Sequence, residues 1–420
     1  MKVLWLTNSV LPKASMALKR PATNKEGWLA GLNDAFTDSS TLKLFVASPV
    51  PSPKDVFEVE TDNSVHIGFY EDLSSPWEYD KSLEERLGKI VEDVKPDLVH
   101  IFGTEYPHTL AMTRVCKGKV KVIIGMQGAC GPIATHYADG VPKEIIRRKT
   151  FRDFLKKDSI ADQIRKFEKR AEHEKEALLN VEYVFGRTSF DKEYMLSVNP
   201  GLEYHFLNET LRSPFYQDSW DGEKAVKHRI FLSQGDYPVK GVHYVLKAAG
   251  ILKDEFSDLE IYVAGNCITR KSNIKEKLKL PSYGKYLLEL INDNGLSGKV
   301  HFTGSIDVEK MKEMYLSSDL FICPSTIENS PNSLGEAMLL GMPVISADVG
   351  GVKSVMDDGK DGIIYEAGNV SKLCEAIRKM WTDEEFAHKT RLQAKEHAQK
   401  THDSESNFKH VLETYFKLCE

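Results

Sequence analysis

The sequence predicts an α/β chain built from two doubly wound parallel-sheet domains. Three observations carry that expectation. The stretch from Phe321 to Gly351 runs strand, loop, helix, strand, loop, the unit of a parallel sheet with a ligand crevice at its strand ends. Val3 to Thr7 is a short apolar run at the very start, as in a first buried strand of such a fold. Apolar strand-like runs then recur on both sides of a polar stretch, Gln217 to Lys227, which reads as an interdomain link.

Composition bounds the rest. Hydrophobic residues make up 41% of the 420 and charged residues 28%, the balance of a soluble globular protein with ample core. The net charge of −6 gives no basis for a nucleic-acid partner. Six cysteines are scattered, with no C-x-x-C and no zinc spacing, which fits reduced thiols in a cytosol. The four apolar residues before Thr7 are too few for a signal peptide, and no run approaches the length of a membrane span. A cytoplasmic protein is expected.

In the first half, Leu42 to Ala47, Val65 to Phe69 and Lys95 to His100 read as strands, and Ser82 to Val94 as a helix. Gly103 to His108 follows a strand, where α/β folds bind ligands, so Glu105 and His108 become candidates. A lone His at a helix start also serves as a structural partner. The long loop Asn8 to Glu26 carries basic residues and leads into a helix opened by Gly27. No G-x-G-x-x-G is present, so a dinucleotide fingerprint is missing. Lys119 to Met126 is a strand ending in Gln127-Gly128, and Val181 to Phe185 another, followed by Gly186-Arg187-Thr188. Between them, Lys143 to Arg170 holds eleven basic residues against five acids, a net of +6, interrupted by Ile145, Ile146, Phe151, Phe154 and Leu155. A basic helix of this kind can lie on an anionic membrane surface, or pack its apolar side on the core.

In the second half, Ile230 to Ser233 is a strand and Val242 to Leu252 a helix. Lys240 stands at that helix start, where the dipole disfavours a cation, and this misfit favours function. Leu259 to Ala264 and Val300 to Gly304 are further strands. Glu328 and Glu336 then flank the start of a helix from Ser333 to Leu340. Exposed N–H groups at a helix start suit a phosphate, and a carboxylate on either side suits ribose or sugar hydroxyls. The alternative is a capping box of Ser333 and Glu336, with Glu328 solvated. Asn407 to Leu418 is amphipathic.

The stretch Pro324-Ser325, Glu328-Asn-Ser-Pro-Asn-Ser-Leu-Gly-Glu336-Ala-Met, Gly341-x-Pro-Val-Ile and Gly350-Gly351 resembles the E-x7-E signature of the retaining glycosyltransferases of family 4, in a form similar to a bacterial polysaccharide subgroup. The similarity runs through nearly all of the second half, with weaker, ordered similarity in the first, including the Pro96-Asp97 strand entry and Gly186-Arg187-Thr188. It implies the GT-B fold: two Rossmann-like domains facing across a cleft, with a C-terminal helix crossing back to the first. The expected division is 1–216, with the tail from about 403 to 420, against 217–402.

The resemblance also implies roles. Lys240 would neutralise the diphosphate of a nucleotide sugar, together with the backbone from Asn332 through Ser333 to Leu334. Glu328 would hold the sugar hydroxyls, Glu336 the ribose, and the Gly304 strand end the base. Gly27 and Arg187 would line the donor side; Glu105 and His108 fall on the acceptor side. This sequence departs from the family in two places. Gln127 stands where many relatives carry a His that reaches the donor sugar; a neutral amide can hydrogen-bond a sugar hydroxyl, so Gln127 joins Glu328 and Lys240 as a catalytic candidate, but it cannot act as a base. Asp236 stands where an Arg is usual, so Arg187 or Arg212 would replace that cation.

The reaction expected is retaining transfer of a sugar from a nucleoside diphosphate, UDP for preference as the commonest in related enzymes. The acceptor would be a carbohydrate or lipid-linked hydroxyl in bacterial envelope, capsular or glycolipid synthesis. No D-x-D sequence occurs, so no metal and no other cofactor is expected. Two other readings remain: a catalytically silent GT-B subunit supporting a partner transferase, and a GT-B sugar-nucleotide epimerase.

Overall fold

The computed structural model describes residues 1–20, 27–36, 42–62, 64–270 and 273–420. Residues 21–26, the end of the long basic loop with Lys25, lie outside the described residues. The chain divides into two compact units. The first holds Met1–Gly131, Lys166–Arg212 and His402–Glu420; the second holds Pro132–Arg165 and Ser213–Thr401.

In the first unit, the described strands are β1 (Lys2–Leu6), β2 (Lys43–Val50), β3 (Phe57–Glu60), β4 (Ser64–Tyr70), β5 (Leu98–Phe102), β6 (Lys121–Gly125), β7 (Tyr183–Gly186) and β8 (Glu203–Phe206). They form one sheet in the order β3-β4-β2-β1-β5-β6-β7-β8. Every pairing is parallel except β3 with β4. The central strands β1 and β5 are wholly buried from Val3 to Leu6 and Leu98 to Phe102, as strands covered on both faces must be. Order reverses at β1, with β2 on one side and β5 on the other. That is the switch point, where the strand ends open a crevice.

The helix Ser404–Cys419 completes this unit. Its Val411, Tyr415 and Leu418 join a core with Val3, Trp5, Leu98 and Phe102. Trp5 Nε1 donates to the Tyr415 hydroxyl at 3.0 Å, and that hydroxyl also meets His100 Nδ1 at 2.5 Å. The returning C-terminal helix expected of the fold is therefore present.

In the second unit, β9 (Val226–Leu232), β10 (Glu260–Ala264), β11 (Val300–Gly304), β12 (Ser318–Cys323), β13 (Val344–Ala347) and β14 (Ile363–Tyr365) form an all-parallel sheet ordered β11-β10-β9-β12-β13-β14. Its switch point is between β9 and β12. Tyr315 fills the layer beneath, with ring centroids 4.8 Å from Phe231 and 5.3 Å from Phe321.

Pro132–Arg165, expected in the first domain, groups with the second unit. The basic stretch is not one helix but three: Lys143–Arg147, Phe151–Lys156 and Ile160–Leu179. Lys157 adopts a left-handed conformation, φ 50°, which stops the middle one. Arg148 clasps Glu289 at 2.9 and 2.8 Å, and Asp153 accepts from the Ser282 N–H at 2.9 Å. These bonds fasten the segment to the helix Ser282–Asp293.

Candidate active site

The carboxyl ends of β9 and β12 carry the residues singled out in the second unit. After β9 the chain turns through Pro238–Lys240 and enters the helix Val242–Leu252. After β12 it runs through Pro324 to Asn329. The two loops are stitched where the Thr326 N–H donates to the Val239 carbonyl at 2.8 Å. Gly241 makes this approach possible. Its φ is +68°, and a Cβ there would lie 1.9 Å from the Pro324 carbonyl oxygen.

The approach brings Lys240 and Glu328 together. Lys240 Nζ donates to Glu328 Oε1 at 2.6 Å, and the Ser325 hydroxyl donates to the same oxygen at 2.7 Å. Burial pulls the Lys240 ammonium down, but the Glu328 charge and hydrogen bond outweigh it, and its pKa is raised. Burial and the Glu328 charge push the neighbouring Cys323 thiol up to about 11, so it stays neutral. The Glu328 carbonyl accepts from the Gly351 N–H at 3.0 Å, and a Cβ on Gly350 would come within 1.9 Å of that oxygen. Here lies the physical need for Gly350, whose φ is +49°.

The helix Asn332–Leu340 starts beside them. Its N-cap is Pro331, and no side chain caps it, so the capping box of Ser333 and Glu336 does not form. The Leu334 N–H, assigned by sequence to a phosphate, turns back to the Pro331 carbonyl at 2.9 Å. Asn332 and Ser333 supply the N–H groups of the first turn, and the Asn332 Oδ1 is buried without a hydrogen bond. Glu336 is buried, 3% exposed, with the Tyr315 hydroxyl 3.5 Å from its Oε2; that hydroxyl also donates to the Ser333 carbonyl at 3.0 Å. Asp236 accepts from Asn266 Nδ2 at 2.7 Å, and Asn266 in turn from the Ser305 hydroxyl at 3.1 Å. Gly304 ends β11 with exposed Arg270 beside it, Nη2 lying 3.9 Å from where a Cβ would stand. The sequence offered no signal for Arg270, which follows no motif.

The first unit has its own constellation at the ends of β1, β5 and β6. An open cavity of about 640 Å³ lies at the ends of β1, β2 and β5, lined by Asn8, Val50, Glu105, Tyr106 and Arg170 among others. Glu105 Oε1 accepts from the Gly128 N–H at 2.7 Å, so this carboxylate shapes the loop after β6. His108 is wholly buried, its Nδ1 2.6 Å from Glu71 Oε2 and its Nε2 3.0 Å from Asn8 Oδ1. It stands behind the cavity wall, holding Asn8. Gly27 opens the helix Gly27–Ala35.

Gln127 and Arg187 meet. Arg187 Nη2 donates to the Met126 carbonyl at 2.9 Å and to Gln127 Oε1 at 3.2 Å, while its Nη1 pairs with Glu209. Arg187 is 5% exposed, so its charge is spent inside this unit, on Glu209 and on fixing Gln127. Glu174 closes the arrangement from the other side. It is wholly buried and accepts from Thr104 and Tyr194 hydroxyls and from the Cys130 and Gly131 N–H groups. Neither Glu174 nor Glu209 was given a role from sequence. In a charge-rich helix or a polar loop, a buried carboxylate looks like a solvated one.

Residues 217–400 match the family described as Glycosyl transferases group 1. Solved structures cover the whole chain: sucrose-phosphate synthase from Thermosynechococcus elongatus superposes with a TM-score of 0.71 at 15% identity, covering 100% of this chain and 99% of that one. Anabaena HepE in complex with UDP-glucose gives 0.66 at 15% identity, covering 99% and 100%. The chain has the GT-B fold. Among curated relatives, 2-deoxystreptamine N-acetyl-D-glucosaminyltransferase of Niallia circulans is 26% identical over 215 residues, half of each chain. D-inositol 3-phosphate glycosyltransferase of Corynebacterium urealyticum is 26% identical over 180 residues, 43% of this chain and 41% of that one. The matches thus span about a third to a half of the length of such relatives. The match to a glycosyltransferase family covers residues 217–400, and over the whole length what the chain shares with solved structures is the fold.

Proposed function

We propose that this protein is a retaining, metal-independent glycosyltransferase that moves a sugar from a nucleoside diphosphate sugar to an acceptor hydroxyl. The observation that carries the reading is the Lys240–Glu328 pair at the switch point of the second unit, beside the uncapped start of the helix Asn332–Leu340. The hard step is departure of the diphosphate from an oxocarbenium-like centre. Fixed cations and helix N–H groups stabilise that charge without reorganising. Lys240 supplies the cation, and the Asn332 and Ser333 N–H groups supply the dipoles. Glu328, held by Ser325, accepts from the sugar hydroxyls as they enter. Glu336 takes the ribose side. A departing phosphate oxygen takes the acceptor proton on the same face, which gives retention. UDP is the preferred nucleotide, in keeping with the UDP-glucose bound by HepE. The acceptor is a carbohydrate or lipid-linked hydroxyl of bacterial envelope, capsular or glycolipid synthesis, bound at the first-unit cavity beside Glu105.

A thermal-shift screen of UDP, GDP, ADP and their sugar conjugates, with and without EDTA, tests the donor site. A rise with one nucleotide series, unchanged by EDTA and lost in Lys240→Ala, is expected, since a ligand bound only to the native state stabilises it. No rise from any nucleotide would reject the reading. Proton NMR of the product tests the stereochemistry, and an inverted anomeric configuration would overturn retention.

A further inference from the structure

Asp361 is wholly buried, in the loop that leads into β14. A carboxylate taken so far from water needs its lone pairs answered. One of its oxygens is answered. Oδ2 accepts from the Asp357 N–H at 2.8 Å and lies 2.7 Å from His397 Nδ1, on the helix Glu384–Thr401. The other oxygen is not: Oδ1 is buried too and meets no donor among the described residues. The charge is also thinly matched. Lys360 is engaged by the exposed Asp357 at 3.0 Å, and among the described residues only the His397 ring forms an ion pair with Asp361.

Two further ligand side chains stand beside this carboxylate. One ligand atom each from Asp357, Asp361 and His397 all lie within 4.8 Å of one another. Ligands of one small dication sit at most roughly 4.2 Å apart, twice a bond of about 2.1 Å. Side-chain rotation closes that difference, because Asp357 is exposed and His397 half-buried. The backbone that carries the two aspartates is braced: the Asp361 N–H donates to the Asp357 carbonyl at 3.0 Å, and the Ile364 N–H to Asp358 Oδ1 at 2.8 Å. One imidazole and two carboxylates make a mixed nitrogen and oxygen donor set. Such a set suits a borderline transition-metal dication better than calcium, which takes about six to eight oxygens.

We propose that Asp357, Asp361 and His397 bind a transition-metal dication of the zinc type, and that the ion ties the helix Glu384–Thr401 to the edge strand β14. All three residues belong to the second unit. Asp361 precedes β14, at the amino end of an all-parallel sheet, whereas Lys240 and Glu328 follow β9 and β12 at its carboxyl end. The ion is therefore a brace, remote from the departing diphosphate, and the site stands or falls apart from the transfer reaction. The test strips the full chain with EDTA, removes the chelator and titrates zinc chloride by calorimetry, with thermal unfolding alongside. One equivalent bound and a midpoint that rises with zinc are expected, since an ion held only by the native state stabilises it. Asp357→Asn and His397→Gln should each weaken zinc binding at least roughly tenfold. Asp357 is exposed, so Asp357→Asn should keep the parent midpoint when zinc is absent. The further rise that a nucleotide adds should be the same with and without zinc. No uptake of zinc would overturn the proposal. So would uptake that both variants retain, because the ion would then sit on other histidines or thiols.

Discussion

The 2.6 Å contact between Lys240 and Glu328 sets what each residue can do. The pairing keeps the ammonium charged despite its burial, so Lys240 is a ready anion partner and not a base. Lys240→Ala is expected to cut turnover by about 10²- to 10³-fold, the scale of removing one fixed donor from a charge-stabilising site. Glu328→Ala is expected to abolish transfer while leaving nucleotide binding, which a silent subunit would not show. Both follow from initial rates with radiolabelled donor. Glu174 makes the opposite kind of demand. Four donors converge on its buried carboxylate, and Glu174→Ala would strand them all, lowering stability by about 3 kcal/mol or more; the urea midpoint reads it. Sequence singled out Glu328 and Glu336 by their fixed spacing, and Lys240 by its misfit at a helix start. It could not reveal Glu174, Glu209 or Asp153, because their long-range partners lie from 20 to 129 residues away.

At the level of elements, the sequence disclosed existence better than company. The strands at Val3, Leu98, Ile230 and Phe321 are where apolar runs placed them. The basic stretch misled because charge periodicity marks helix but not the stop at Lys157, nor which unit the helices join. The Ser333–Glu336 spacing likewise permits a capping box that Pro331 pre-empts by taking the N-cap position. The C-terminal helix was visible as an amphipathic segment, but its key polar contact was not. Tyr415→Phe would leave the Trp5 N–H without an acceptor and is expected to cost about 1 to 3 kcal/mol, seen as a lower thermal midpoint with Trp5 fluorescence red-shifted. Gly241→Ala should be worse than its size implies, since the new methyl would meet the Pro324 carbonyl and push the Lys240 loop off the Glu328 loop. Loss of nucleotide-induced stabilisation, beyond any loss of folding, would register that displacement.

Across the whole molecule, both units carry buried neutral histidines. Burial, aided by Lys13, lowers His66 to about 4; burial lowers His100 to about 3. His243 in the second unit is lowered to about 3, held in one tautomer between the Tyr283 hydroxyl and the Asp139 carbonyl. Each binds a proton more readily unfolded, at its ordinary 6.5, than folded. Between those values the unfolded chain holds more protons, so stability falls as pH falls, by about 1.4 kcal/mol per pH unit for each histidine. A thermal midpoint that drops from pH 7 to pH 5 is expected; a constant one would contradict the buried neutral state.

The division of the chain has a consequence for how the protein can be made. The backbone leaves the first unit after Gly131, returns at Lys166, leaves again after Arg212 and comes back at His402. On a ribosome, the unit begun first is therefore finished last. Trp5 and His100 must wait for Tyr415, more than 300 residues downstream, before their pocket can shut. Scissors placed at the ends of the matched family segment, 217 and 400, would release a fragment without Arg148 and Asp153, which brace its own helix at Ser282–Asp293. Neither unit can be cut out as a single ribbon, for the first is woven from three segments of the chain and the second from two.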